Sequence, residues 1–173
     1  MSGLLVLGGA RSGKSRYAQA RAEQAGGTLA FVATAQAHDA EMQERIARHR
    51  ADRDDRWITI EAPLDLAGAI AEAGRKADAV LVDCLTLWLS NLLLAEKDIA
   101  SAVAALEQAI LSSSIPVMLV ANEVGLGIVP DNALARRFRD EAGWLNQKIA
   151  LVCAEVVLVT AGLPMVLKSP PSP

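Results

Sequence analysis

The stretch Gly8-Gly9-Ala10-Arg11-Ser12-Gly13-Lys14-Ser15 fits G-x-x-x-x-G-K-[ST] and directly follows the apolar run Leu4-Leu5-Val6-Leu7. It demands a strand, a phosphate-binding loop and a helix in immediate succession. The glycines let the backbone turn tightly and bring several N–H groups onto phosphate oxygens. Lys14 adds positive charge, and the Ser15 hydroxyl is an oxygen ligand for Mg²⁺. The helix that starts near Lys14 turns the positive end of its dipole to the same anion. The loop predicts a nucleotide enzyme and leaves the reaction open.

The rest of the chain continues in the same alternation. Ser15 to Ala25 reads as a helix closed by Gly26-Gly27, Thr28 to Thr34 as a buried strand, and 39–52 as a helix capped by Asp39 with Met42, Ile46 and His49 on one face. Then come a short strand over 57–60, an Ala-rich helix over 64–75 and the core strand Ala79-Val80-Leu81-Val82-Asp83. A helix over 99–111, a strand over 117–121, a long helix over 132–150 and a closing pair of strands, 155–160 and 165–168, joined across Gly162-Leu163-Pro164, complete it. Apolar strands alternating with helices predict an α/β fold with a mostly parallel central sheet, helices on both faces and a closing C-terminal strand pair.

At 173 residues, residues 1–168 are expected to form a single nucleotide-binding catalytic domain, and the Pro-rich segment 169–173 a disordered tail. A net charge of -3 argues against a nucleic-acid partner. The longest apolar candidate, Leu85 to Ala95, contains Ser90 and Asn91 and is too short for a membrane span. Met1-Ser2-Gly3 carries no basic region or cleavage site, so the cytoplasm is the expected compartment. Cys84 and Cys153, far apart, support neither a disulfide framework nor a metal site.

Several residues carry candidate chemistry. Asp83 ends an apolar strand, the pattern of a carboxylate that reaches the Mg²⁺ shared with Ser15, although many buried strands also end in Asp at a turn. His49 lies among Arg45, Arg48, Arg50 and Arg53. A neutral imidazole there can attack an α-phosphate while guanidinium groups hold the departing pyrophosphate, whereas a lone histidine on an apolar helix face is more often a structural residue than a catalyst. Thr34-Ala35-Gln36 and Asn122-Glu123-Val124-Gly125-Leu126-Gly127-Ile128-Val129-Pro130 follow the carboxyl ends of strands, the edge where open α/β sheets bind ligands. Either segment also reads as a cap or turn. Glu61 is a candidate ribose contact or a solvated acid, and His38 a surface residue.

Together, Gly8 to Ser15, Ala33-Thr34-Ala35, the 41–50 helix, Asp83-Cys84-Leu85-Thr86-Leu87-Trp88, Asn122 to Gly125, Gly127 to Pro130, Arg136 to Asp140, Asn146-Gln147 and Gly162-Leu163-Pro164 resemble one family. This is the bifunctional adenosylcobinamide kinase and adenosylcobinamide-phosphate guanylyltransferase family of cobalamin biosynthesis. The likeness runs from Leu4 to Lys168.

The resemblance implies a RecA-like P-loop NTPase fold and a cytoplasmic homotrimer. The activity it implies is phosphorylation of adenosylcobinamide with ATP or GTP, then transfer of GMP from GTP to adenosylcobinamide phosphate through a guanylylated histidine. It places His49 and Lys14 as catalytic and Ser15 and Asp83 as Mg²⁺ ligands. Nucleotide contacts fall on Gly8, Gly9, Ala10, Arg11, Ser12, Gly13, Lys14 and Ser15, on Thr34, Ala35 and Gln36, on Arg50, Ala51, Asp52 and Arg53, and on Glu61 and Asp83. His38 and Glu155 depart from the family pattern. The residues alone leave two alternatives: a single-step P-loop small-molecule kinase, and a RecA-like nucleotide-switch ATPase.

Overall fold

The apolar runs become strands β1 (Gly3–Gly8), β2 (Leu29–Ala33), β3 (Trp57–Glu61), β4 (Ala79–Asp83), β5 (Val117–Asn122), β6 (Glu155–Thr160) and β7 (Leu163–Lys168). The structure, a computed structural model, describes residues 3–35 and 54–169. The expected 39–52 helix, with Gln36, His38, His49 and Arg50 to Arg53, and the tail from Pro170 lie outside the described residues. The strands form one seven-stranded sheet in the order β3-β2-β4-β5-β1-β6-β7. Every pairing is parallel except β6 with β7. Six strands therefore present their carboxyl ends at one edge.

Side chains alternate across the sheet, because successive residues of a strand point to opposite faces. One face carries Leu4 and Val6 of β1, Ala79 and Leu81 of β4, Met118 and Val120 of β5, and Val157 and Val159 of β6. Helix α1 (Lys14–Glu23) covers it, with Ala18 and Ala22 fully buried one turn apart. Small residues on that stripe let the helix lie close to the sheet. The other face, with Leu5, Val80, Val82, Leu119 and Ala121, packs against α2 (Leu66–Ala73), α3 (Leu85–Leu94), α4 (Ile99–Ser112) and α5 (Ala133–Val152). Each fully buried Leu or Val there stabilises the fold by about 1.5–3 kcal/mol.

The helix starts follow capping chemistry. Asp65 accepts from the Gly68 N–H at 2.8 Å, Asp98 from Ser101 at 3.1 Å and Asn132 from Ala135 at 2.8 Å. The α3 segment has no such signal: Cys84 makes no side-chain cap, and Leu85, Trp88, Leu89 and Leu92 are buried. The stretch that is too short to span a membrane is a core helix, and the Trp88 indole N–H donates to the Leu64 carbonyl at 2.7 Å. No described helix is long and apolar enough to cross a membrane.

The closing strand pair differs slightly from the sequence expectation. The turn is Ala161-Gly162, with φ of 53° and 79°, the left-handed pair that suits a two-residue hairpin. Strand β7 therefore begins at Leu163 and accommodates Pro164, which an edge strand tolerates. Arg21 ties α1 to this side of the sheet, donating to both carboxylate oxygens of Glu155 at 2.8 and 2.7 Å and to the Tyr17 hydroxyl at 3.0 Å. Those bonds raise the guanidinium pKa and hold the Glu155 carboxyl below its ordinary value.

Candidate active site

Two glycines, Gly8 and Gly13, shape the loop between β1 and α1. A Cβ on Gly8 would stand 2.4 Å from the Ser12 hydroxyl and 2.6 Å from the Val159 carbonyl oxygen. Gly13 has φ of 94°, open to glycine without strain, and supplies no side-chain cap to α1. The first N–H groups of the helix are thus not covered by a capping side chain and face the hollow of the loop, a ready anion site. The buried Lys14 ammonium donates to the Gly9 carbonyl at 3.0 Å, within the same loop. The Ser12 hydroxyl is buried without a hydrogen-bond partner among the described residues. The Gly162 N–H donates to the Ser12 carbonyl at 2.8 Å, so the β6–β7 turn buttresses the loop.

Two transverse rows cross the carboxyl edge. In the first, Glu61, Ala33, Asp83 and Val120 stand in register through β3, β2, β4 and β5. In the second, one pleat further out, Asn122 of β5 pairs with Gly8 of β1, and Gly8 with Val159 of β6. Leu81 and Val120 point to the α1 face, so Asp83 and Asn122, two residues further along their strands, point there too. Both rise beside the start of α1, and the Lys14 charge is felt at Cys84, the residue after Asp83. The structure thus brings together Gly8 to Ser15, Asp83 and Asn122. Glu61 shares the edge but stands four strand spacings from Gly8, roughly 19 Å at about 4.8 Å each. It lines a cleft of about 360 Å³ with Ala62, Leu64, Glu72 and Arg75.

The end of β4 is held by a buried polar latch. The fully buried Thr34 hydroxyl donates to the Cys84 carbonyl at 2.9 Å and accepts from the Cys84 N–H at 2.8 Å. The Asn91 carboxamide donates to the Thr34 carbonyl at 2.8 Å and the Pro63 carbonyl at 3.0 Å. Thr34 thus spends its side chain on the peptide that follows Asp83, and the half-buried Ala35 is the next residue along the edge. Burial, helped by the Asp83 charge, pushes the Cys84 thiol up, so it is an inert neutral group at neutral pH. Cys153 is likewise buried and pushed up to about 12.

The donor set fits Mg²⁺. A Ser15 hydroxyl at the start of α1 and an Asp83 carboxylate on the α1 face of the sheet are both hard oxygen donors. Among the described residues no group of three or more His, Cys, Asp or Glu side chains could hold a metal ion.

Three members of this edge were legible in the sequence only as part of the family pattern, with no role attached to them. Thr86 accepts from the Asn122 N–H at 2.7 Å, Asn146 donates to the Asn122 carbonyl at 3.4 Å, and Arg136 holds the 123–132 loop by donating to the carbonyls of Pro130 and Asp131 at 3.0 and 2.8 Å. Asn122 was signalled by its position at the end of an apolar strand and by the family pattern over Asn122 to Gly125.

Residues 4–167 match the family model for cobinamide kinase / cobinamide phosphate guanyltransferase. The chain is 51% identical over 174 residues to the bifunctional adenosylcobalamin biosynthesis protein CobP of Pseudomonas aeruginosa, covering 96% of this chain and 98% of that one. It is 40% identical to the bifunctional adenosylcobalamin biosynthesis protein CobU of Salmonella typhimurium, covering 95% and 99%. Among solved structures, a KaiC-like protein of the archaeon Pyrococcus horikoshii aligns with a TM-score of 0.55 at 14% identity, over 91% of this chain and 70% of that one. The last likeness concerns the α/β P-loop fold alone.

Proposed function

The chain belongs to the cobinamide kinase / cobinamide phosphate guanyltransferase family, and from that premise we propose a bifunctional transferase of cobalamin biosynthesis that works in two steps on one corrinoid. In the first, the terminal hydroxyl of the aminopropanol arm of adenosylcobinamide attacks the γ-phosphorus of ATP or GTP. The bond to the β-phosphate oxygen breaks, the nucleoside diphosphate leaves and the hydroxyl proton passes to solvent. In the second, a His49 ring nitrogen attacks the α-phosphorus of GTP and pyrophosphate leaves. A phosphate oxygen of adenosylcobinamide phosphate then displaces the histidine and takes GMP.

The observation that carries this reading is the convergence of the Gly8–Ser15 loop with Asp83 on the α1 face, in a chain matched to the family along almost its whole length. Phosphoryl transfer asks chiefly for positioning and charge neutralisation. Backbone N–H groups and Lys14 cradle the phosphates. Ser15 and Asp83 would hold Mg²⁺, which would supply charge neutralisation on the phosphates. Ala10, Arg11, Ala35, Gln36, Arg50, Ala51, Asp52, Arg53 and Glu61 complete the nucleotide contacts in this proposal, with residues 1–168 as one catalytic unit in the cytoplasm. A homotrimer is part of it: β7 is an edge strand with Leu163, Met165, Val166 and Leu167 all exposed, an apolar strip suited to burial against another copy.

The histidine step is tested with α-labelled GTP and Mg²⁺. The reading expects label on the protein that is acid-labile and base-stable, and that disappears in His49→Ala while cobinamide phosphorylation persists. An active wild-type protein that never carries such label overturns the guanylyl-histidine step.

A further inference from the structure

We propose that Asn122 is a further substrate-contacting residue of the kinase step, aligning the acceptor hydroxyl with the transferring phosphoryl group through its carboxamide. The inference rests on the two-step reading above and deepens it. Asn122 is in register with Gly8, at the mouth of the phosphate loop, and one pleat beyond the row that holds Asp83. The period of β5 points its side chain to the α1 face, between the strand that carries the phosphate loop and the strand that carries the carboxylate.

Its backbone is pinned on both sides: Thr86 Oγ1 accepts from its N–H, Asn146 donates to its carbonyl, and the next N–H, of Glu123, donates to the Gly8 carbonyl at 3.1 Å. The fold thus fixes the residue through its main chain, and among the described residues nothing is hydrogen-bonded to its Oδ1. Its Oδ1 is buried without a donor among the described residues. A buried carboxamide oxygen that the fold leaves unmatched asks for a donor from outside, and the phosphoryl acceptor is a hydroxyl. A rotation of the carboxamide about its side-chain bonds brings Oδ1 out of its buried position to accept from that hydroxyl, and the amide N–H groups of the same side chain then donate to oxygens of the phosphoryl group. One planar group then sets both partners of the displacement in line.

The guanylyl transfer step uses a phosphate oxygen, not a hydroxyl, as its acceptor, and this separates a contact from a structural role. Both activities are measured on Asn122→Ala and Asn122→Asp, phosphorylation with adenosylcobinamide and guanylyl transfer with supplied adenosylcobinamide phosphate. We expect the ratio of phosphorylation to guanylyl transfer to fall at least about tenfold in Asn122→Ala, in kcat more than in the KM for nucleotide. In Asn122→Asp, which retains an acceptor but adds charge beside the phosphates, both the ratio and triphosphate binding fall. Equal losses in the two activities, or no loss in either, overturn the proposal. A wild-type chain that phosphorylates no cobinamide removes the reading beneath it.

Discussion

Thr34 and Cys84 grip each other twice across fifty residues of chain: the threonine hydroxyl both donates to the Cys84 carbonyl and accepts from the Cys84 N–H, at 2.9 and 2.8 Å. The pair is buried, and it fixes the peptide immediately after Asp83. Thr34→Val keeps the shape and deletes both bonds; the Cys84 carbonyl keeps the Trp88 N–H as its donor at 3.2 Å, but the buried Cys84 N–H is left unmatched, at a cost of about 1–3 kcal/mol. Thr34→Ser retains most of that. Urea denaturation of the two variants checks the ordering, and triphosphate binding in the presence of Mg²⁺ should follow it.

Gly8→Ala tests the loop itself. The added methyl carbon would meet the Ser12 hydroxyl at 2.4 Å and the Val159 backbone oxygen at 2.6 Å, and the second cannot swing away. The strand end must shift, costing about 1–3 kcal/mol. Isothermal titration should show nucleotide affinity reduced at least about tenfold, since the same shift misaims the loop N–H groups.

Lys14→Ala removes the cation from the loop, where the ammonium donates to the Gly9 carbonyl. Turnover should fall by about 10²–10³, the usual effect of losing one preorganised charge-stabilising donor. Steady-state kinetics beside an unchanged circular dichroism spectrum would establish this; wild-type turnover in the variant would remove Lys14 from the catalytic set.

The Arg21–Glu155 pair predicts an acid-side slope in stability. Hydrogen bonds from Arg21 hold the Glu155 carboxyl below its ordinary value in the folded protein. Its contribution is therefore fully present above the unfolded value, about pH 4.3, and is lost as pH falls through the lower folded value. Glu155→Gln should cost about 1–2 kcal/mol at neutral pH, since the pair is partly exposed. It should also flatten the decline below about pH 4.3, as read from thermal unfolding between neutral and acid pH.

The phosphate loop was legible because its chemistry is local: glycines, lysine and serine within eight consecutive positions. Asp83 was legible for a similar reason, as an acid closing an apolar run. The helix over Leu85–Leu94 was not, because it is apolar around much of its circumference and begins at Cys84 without a capping side chain, so neither periodicity nor a cap marks it. Nor was the start of β7, where Pro164 reads as a turn until the structure shows an edge strand in which its missing N–H is harmless. The Thr34–Cys84 latch and the Asn122–Gly8 pairing join residues far apart in the chain, and only the sheet order reveals them.

The most direct test is to follow the corrinoid itself by mass when the purified protein meets adenosylcobinamide, GTP and Mg²⁺. The account predicts one product heavier by a phosphoryl group and a second carrying a further GMP, with pyrophosphate released in step with the second. Steady consumption of GTP that leaves the corrinoid mass unchanged would contradict it.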